Sequence, residues 1–194
     1  MLLTWGIAIV VSFDSTSRAA FSGQNMEVVG YPSSTSATGE DGRTRTMKIE
    51  LFSGDPVDLS ALNPGERLVV SGTGFDSSRG IYVAICVIPE EVGVRPGPCL
   101  GGIPDRQDNS GKGAGAPEFA ASNWINNDWA WRLLGARGFD DLEAGSFSAY
   151  IEVPRAVEGE TNCFRRGCGV FTRNDHTATE DRGQDVFLPI RFAP

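Results

Sequence analysis

Histidine is nearly missing from this chain: His176 is the only one among 194 residues. An H-E-x-x-H zinc-protease pair therefore cannot form, and the G-x-S-x-G elbow that presents a catalytic serine is absent too. Basic runs are equally scarce, with nothing longer than Arg165-Arg166, and the formal net charge is -8. An acidic chain is repelled by phosphate backbones, so nucleic acid is not expected as a partner. Long apolar runs are missing as well. The longest, "LLTWGIAIVV" at 2–11, has the size of a signal-peptide core and is too short to span a bilayer. No Lys or Arg precedes it, so residues 1–20 read either as a signal peptide or as a mis-started segment. "SGKGAG" at 110–115 lacks the G-x-x-x-x-G-K-[ST] spacing of a phosphate loop and reads as a plain Gly-rich loop.

What the chain does have is 24 glycines and 11 prolines, which call for many turns, and enough apolar residues for one core. Residues 21–45 are rich in Ser, Thr and Gly and read as a flexible linker. From residue 46 the texture changes. "TMKIELF" alternates Met47, Ile49 and Leu51 with Lys48 and Glu50, the pattern of a strand with one buried face. "LNPGERLVVSGTGF" supplies a turn and then a strand. "GIYVAICVI" is nearly all apolar and reads as a central strand, and "GSFSAYIEV" alternates again. "CGVFTR" and "QDVFLPIRF" complete the set, with Pro189 marking an edge or a bulge. Residues 46–194 are thus expected to form one all-β sandwich domain with a long inserted loop at about 100–137. Within that insertion, "WINNDWAWRLLGARGF" fits a short helix or a strand equally well.

Four cysteines stand in two close pairs, Cys86 with Cys99 and Cys163 with Cys168. Three connectivities exist, of which local pairing is the simplest. The x12 and x4 spacings match no C-x2-C zinc ribbon, so disulfides are favoured over zinc, and disulfides belong outside a reducing cytosol. His176, in "RNDHTATEDRGQD", is read as a hydrogen-bonding turn residue in preference to a catalytic base or haem ligand. Asp175, Glu180, Asp181 and Asp185 form an acidic group without EF-hand spacing, read as a solvated loop with Arg173 and Arg182 as partners. Trp124, Trp129 and Trp131 either line a carbohydrate or small-molecule surface or fold the insertion back onto the sandwich.

The strand "GIYVAIC", the loop to a second cysteine and "GETNCFRRGCGVFTRNDHTATEDRGQDVFLPIRF" together resemble the neocarzinostatin-like immunoglobulin fold. That fold is found in the apoproteins of the actinobacterial enediyne chromoproteins. "LNPGERLVVSGTGFD", "GIYVAICV", "GPCLGG" and "TRNDHT…DRGQDV" look closer still to Ig-like modules of actinobacterial secreted or cell-surface proteins, often beside HtaA-type domains. The resemblance covers about residues 48–194. It implies a seven-stranded immunoglobulin-like sandwich with two short-range disulfides and a ligand cleft beside the hairpin that Cys86 and Cys99 close. The positions matching the cleft are Val87, Ile88, Val92 and Val94, a loop without aromatic residues. The expected function is a non-catalytic secreted or cell-surface binding or display module, with a small-molecule carrier for an enediyne-type chromophore as the alternative. No cofactor or bound metal is expected. The partner is a small molecule or a surface component, and the chain is expected to be a monomer.

Overall fold

A computed structural model describes residues 21–102 and 117–194. Residues 1–20 and the Gly-rich stretch at 110–115 lie outside the described residues. The described residues are almost entirely strand, turn and loop. The strands are β1 (Ser34–Thr38), β2 (Thr44–Leu51), β3 (Arg67–Thr73), β4 (Ile81–Val87), β5 (Ser122–Ile125), β6 (Phe147–Glu152), β7 (Val157–Glu158), β8 (Thr161–Asn162), β9 (Cys168–Asn174) and β10 (Val186–Ile190). One short helix, α1 (Trp129–Leu133), lies between β5 and β6. Two antiparallel sheets run in the orders β1-β2-β3-β6 and β10-β9-β4-β5, and β7 and β8 form a separate small hairpin.

Period-2 alternation explains the first sheet. Met47 and Ile49 of β2, Leu68 and Val70 of β3, and Phe147, Ala149 and Ile151 of β6 all turn inward and are buried. They meet Ile81, Val83 and Ile85 of β4, Val170 of β9, and Val186 and Leu188 of β10 in a single apolar cluster. Each fully buried aliphatic side chain there contributes about 1.5–3 kcal/mol. The second sheet is covered on its other face as well. Ala84, Cys86, Phe171 and Phe187 point outward and are buried beneath Met26, Val28, Ile88 and Cys99. Burial on both faces accounts for the unbroken apolar runs of β4 and β10.

Two expectations need correction. The two sheets hold eight strands where seven were expected. The eighth, β1, falls inside the stretch read as a flexible linker. "STSAT" has almost nothing to bury, so its alternation is illegible, but strand pairing uses backbone groups. β2 supplies a five-residue ladder from Ser34↔Lys48 to Thr38↔Thr44, and Ala37 is buried. The Trp-rich segment makes both a strand and a helix. β5 pairs with β4, and Asp128 caps α1 by accepting from the Ala130 amide at 2.8 Å. Pro189 lies on β10, an edge strand, where its missing N–H removes no ladder bond.

Candidate functional site

The chain leaves β4 and turns back as a hairpin. Val87 N–H donates to Pro98 O at 3.0 Å, and Leu100 N–H donates to Ile85 O at 2.8 Å. Cys86 and Cys99 face each other across this pairing and are joined by a disulfide. A second disulfide, Cys163–Cys168, closes the turn that feeds β9. The tip of the first hairpin bends over the outer face of the second sheet. Gly93 has φ +90, and a Cβ there would lie 2.8 Å from the Phe21 ring, so the tip and Phe21 approach as only glycine permits.

Beneath the tip is a cavity of about 290 Å³. Val92 and Val94 line it from the hairpin, Phe21 and Met26 from the N-terminal segment, and Phe171 and Phe187 from β9 and β10. The two phenylalanine rings are stacked, with centroids 4.8 Å apart and planes 13° apart. Gln24 fastens the N-terminal segment to the edge of β10. Its side-chain amide donates to Phe187 O and accepts from Phe187 N, each at 2.7 Å. That bidentate contact blunts an edge strand that would otherwise expose its backbone.

Arg182 and Asp185 also line the cavity. Arg182 Nη1 donates to Asp185 Oδ2 at 2.8 Å, with side chains only 5% and 11% exposed. Arg182 Nη2 donates to Thr179 O. Asp185 Oδ1 is buried and has no hydrogen-bond partner among the described residues. Desolvation pushes Asp185 up to about 7, with the Arg182 charge pulling the other way. Unfolded, Asp185 ionises near 3.8; folded, it keeps its proton to about 7. The folded state binds more protons within that window, so stability falls as pH rises through it. Asp185→Asn, which cannot ionise, is expected to flatten this slope. Urea denaturation of both proteins across the window checks it, and parallel slopes would refute the assignment.

On the same outer face, Tyr82 of β4, Trp124 of β5, Trp131 of α1 and His176 form a cluster of rings. Centroid separations run from 4.9 Å for Trp131–His176 to 6.4 Å for Tyr82–His176. His176 Nδ1 and Tyr82 OH are 2.9 Å apart, so the histidine is the hydrogen-bonding turn residue that its loop suggested. Asp175 departs from the solvated acidic loop expected of it and is fully buried. Trp124 Nε1–H and Asn126 Nδ2–H donate to its Oδ2, both at 2.9 Å. Thr177 N–H and Oγ1–H donate to its Oδ1 at 2.8 and 2.6 Å. Burial acts to raise Asp175, but these hydrogen bonds outweigh it and hold the group below its ordinary value. Both oxygens are thus committed away from His176, and the pair does not form an acid–base dyad.

The expected site residues divide. Val92 and Val94 line the cavity. Val87 turns inward into the main core, and Ile88 packs on the outer apolar cluster, so neither stands in the cavity lining. Trp124 and Trp131 fold back into the ring cluster, while Trp129 remains 75% exposed on α1. The aromatic lining comes from Phe21, Phe171 and Phe187, none of which stood out as ligand contacts in the sequence. The signal for the last two was the adjacent pairs Val170-Phe171 and Val186-Phe187, which place an apolar residue on each face of the sheet. Among the described residues no helix is long and apolar enough to cross a membrane. No family model, no curated protein and no solved structure matches this chain.

Proposed function

We propose that the chain is a secreted or cell-surface, non-catalytic binding module with an immunoglobulin-like sandwich of neocarzinostatin type. Its ligand is a small, largely apolar molecule held beside the Cys86–Cys99 hairpin. The cavity carries this reading. At about 290 Å³ it stands at the lower end of the range that takes small ligands, and its walls are apolar and aromatic. Asp185 Oδ1, without a partner among the described residues, suits a ligand with one hydrogen-bonding group: an acceptor while the carboxyl keeps its proton, a donor once it ionises. A chromophore of enediyne type is one member of that class. The hairpin brings no aromatic residue to meet it, but Phe21, Phe171 and Phe187 do so from other segments. Two disulfides suit an oxidising compartment and so support export. A display role has its own observation in favour: Trp129, Leu133 and Leu134 are exposed together on and just after α1.

The test uses the full chain recovered from the medium of an actinobacterial host. Native mass spectrometry is expected to find a retained small molecule. The emptied protein is expected to enhance the fluorescence of anilinonaphthalene sulfonate, with micromolar affinity. Val94→Trp, which fills the cavity from an exposed position, should weaken that binding about tenfold, or about 1.4 kcal/mol. A bare mass together with no probe binding would return the reading to display through α1.

A further inference from the structure

The outward face of the first sheet carries a second, chemically different surface. Strand register arranges its side chains in rows across the strands. Ser36, Thr46 and Thr73 make one row, and Ser34, Lys48, Ser71 and Ser148 the next. Residues two apart on a strand are about 7 Å apart, so the rows are separated by that distance. Short side chains leave a depression of about 730 Å³ over them. Ser148 Oγ donates to Asp140, but among the described residues the hydroxyls of Ser36, Thr46, Ser71 and Thr73 have no partner within the chain.

One step further along the strands the face changes from hydroxyl to aromatic. Tyr150 follows Ser148 on β6, and Phe52 follows β2. Phe119 stands between them, 4.9 Å from Phe52 and 5.5 Å from Tyr150, centroid to centroid. Phe52 is 48% exposed. The charges on this face balance in sign: Asp140 at the depression accepts from Ser148 and is in no ion pair among the described residues, and Arg137 over the Tyr150 ring offsets it. Lys48 pairs with Glu50 at 2.7 Å and Arg67 with Glu152 at 3.3 Å. The face therefore offers no net field to a polyanion or a polycation, but many hydroxyl donors and acceptors beside a hydrophobic ring surface.

We infer that this face binds a neutral glycan chain, laid along the strands from the hydroxyl rows to the Phe52–Phe119–Tyr150 rings. A pyranose presents equatorial hydroxyls at its rim and C–H groups on its faces. The rim matches the Ser and Thr hydroxyls, and the C–H face matches Phe52, the exposed ring of the three; Arg67 and Arg137 lie over Phe119 and Tyr150, 4.9 and 4.8 Å from their centroids. Charge complementarity favours a neutral polymer because the face carries no excess of either sign, with two ion pairs and with Asp140 offset by Arg137. The surface lies on the opposite sheet from the cavity under the Cys86–Cys99 hairpin, so the two readings stand or fall separately.

The experiment is native affinity electrophoresis of the full chain through gels cast with hydroxyethylcellulose, amylopectin or mannan, with dextran sulfate as the anionic counterpart. At least one neutral polymer is expected to retard the protein, and dextran sulfate is not. Phe52→Ala should weaken retardation about 5- to 10-fold, and the double change Thr46→Val with Ser71→Ala by a similar factor. Trp129→Ala and Val94→Trp, both off this face, should leave it unchanged. Circular dichroism confirms that each variant is folded. Migration unaffected by all three neutral polymers, retardation undiminished in both face variants, or retardation by dextran sulfate alone would each overturn the inference. So would a dimer in sedimentation that Phe52→Ala dissociates, since a second copy would then be the occupant.

Discussion

Asp175→Ala lowers the free energy of unfolding by about 3–5 kcal/mol. Its carboxylate accepts from Trp124, Asn126 and twice from Thr177, all at 2.9 Å or less. Hydrogen bonds to a charged group contribute about 1.5–3 kcal/mol each, and four such bonds would sum to far more than the figure given. The sum overshoots because Trp124 is only partly buried and Thr177 is exposed, so water replaces part of what they lose. Asn126 is buried and loses its partner outright. The carboxylate also ties three separate elements together: β5 through Trp124, the turn that leads to α1 through Asn126, and the turn after β9 through Thr177. Gly80 gives the same prediction a second route. A Cβ at that position would come within 1.9 Å of Asp175 Oδ2 and 2.3 Å of Asn126 Nδ2, so Gly80→Ala must break the network without removing any of its members. Urea denaturation measures both variants, and Trp fluorescence reports whether the ring cluster around Trp124 opens. A loss below about 1 kcal/mol for Asp175→Ala would mean that water fills the site, and the node would then have no structural weight.

Strands whose burial follows the pleat were legible in the sequence. Met47, Ile49 and Leu51 alternate with charges, and β2 forms where they predict. The continuous run "IYVAICV" marked β4 as central, and it is buried on both faces. The two disulfides are the local pairs, the simplest of the three connectivities that the spacing left open. The covering of the second sheet was not legible, because it depends on a segment with no periodicity of its own. Phe21, Gln24 and Met26 act through contacts to residues distant in sequence, Gly93, Phe187 and the outer apolar cluster, and a Gln that mimics a strand partner has no pattern in sequence. Asp175 was misplaced for a related reason. Its neighbours Asn174, His176 and Thr177 are polar and suggest solvent, whereas burial comes from Trp124 and Asn126 on a distant strand and turn. A buried carboxylate satisfied by distant donors reads in sequence like any exposed one. The hydroxyl rows of the first sheet were half legible: each strand shows its Ser and Thr, but only the register between strands aligns them.

Removing the Cys86–Cys99 bridge by paired changes to alanine is expected to cost about 3 kcal/mol, against about 2 kcal/mol for the Cys163–Cys168 pair, because the longer loop restricts the unfolded chain more. The native hairpin keeps its backbone bonds from Val87 to Pro98 and from Leu100 to Ile85 without the bridge. Most of the loss should therefore come from a freer unfolded state, seen as a lower urea midpoint with a larger m value. The two bridges are not independent. Val87 pairs with Cys168 across β4 and β9, and Ile88 N–H donates to Gly167 O at 2.9 Å, so both loops brace the same corner. Their losses should depart from a simple sum when all four cysteines are replaced. The bridges should also differ in function. Loss of Cys86–Cys99 leaves the base of the hairpin paired but loosens the tip that carries Val92 and Val94 over the cavity, so probe binding should weaken even where the protein stays folded. Loss of Cys163–Cys168 leaves that lining in place and should change probe binding little. Equal weakening by both pairs, measured below the urea transition of each, would show that the corner as a whole shapes the cavity and that the first hairpin holds no special place in it.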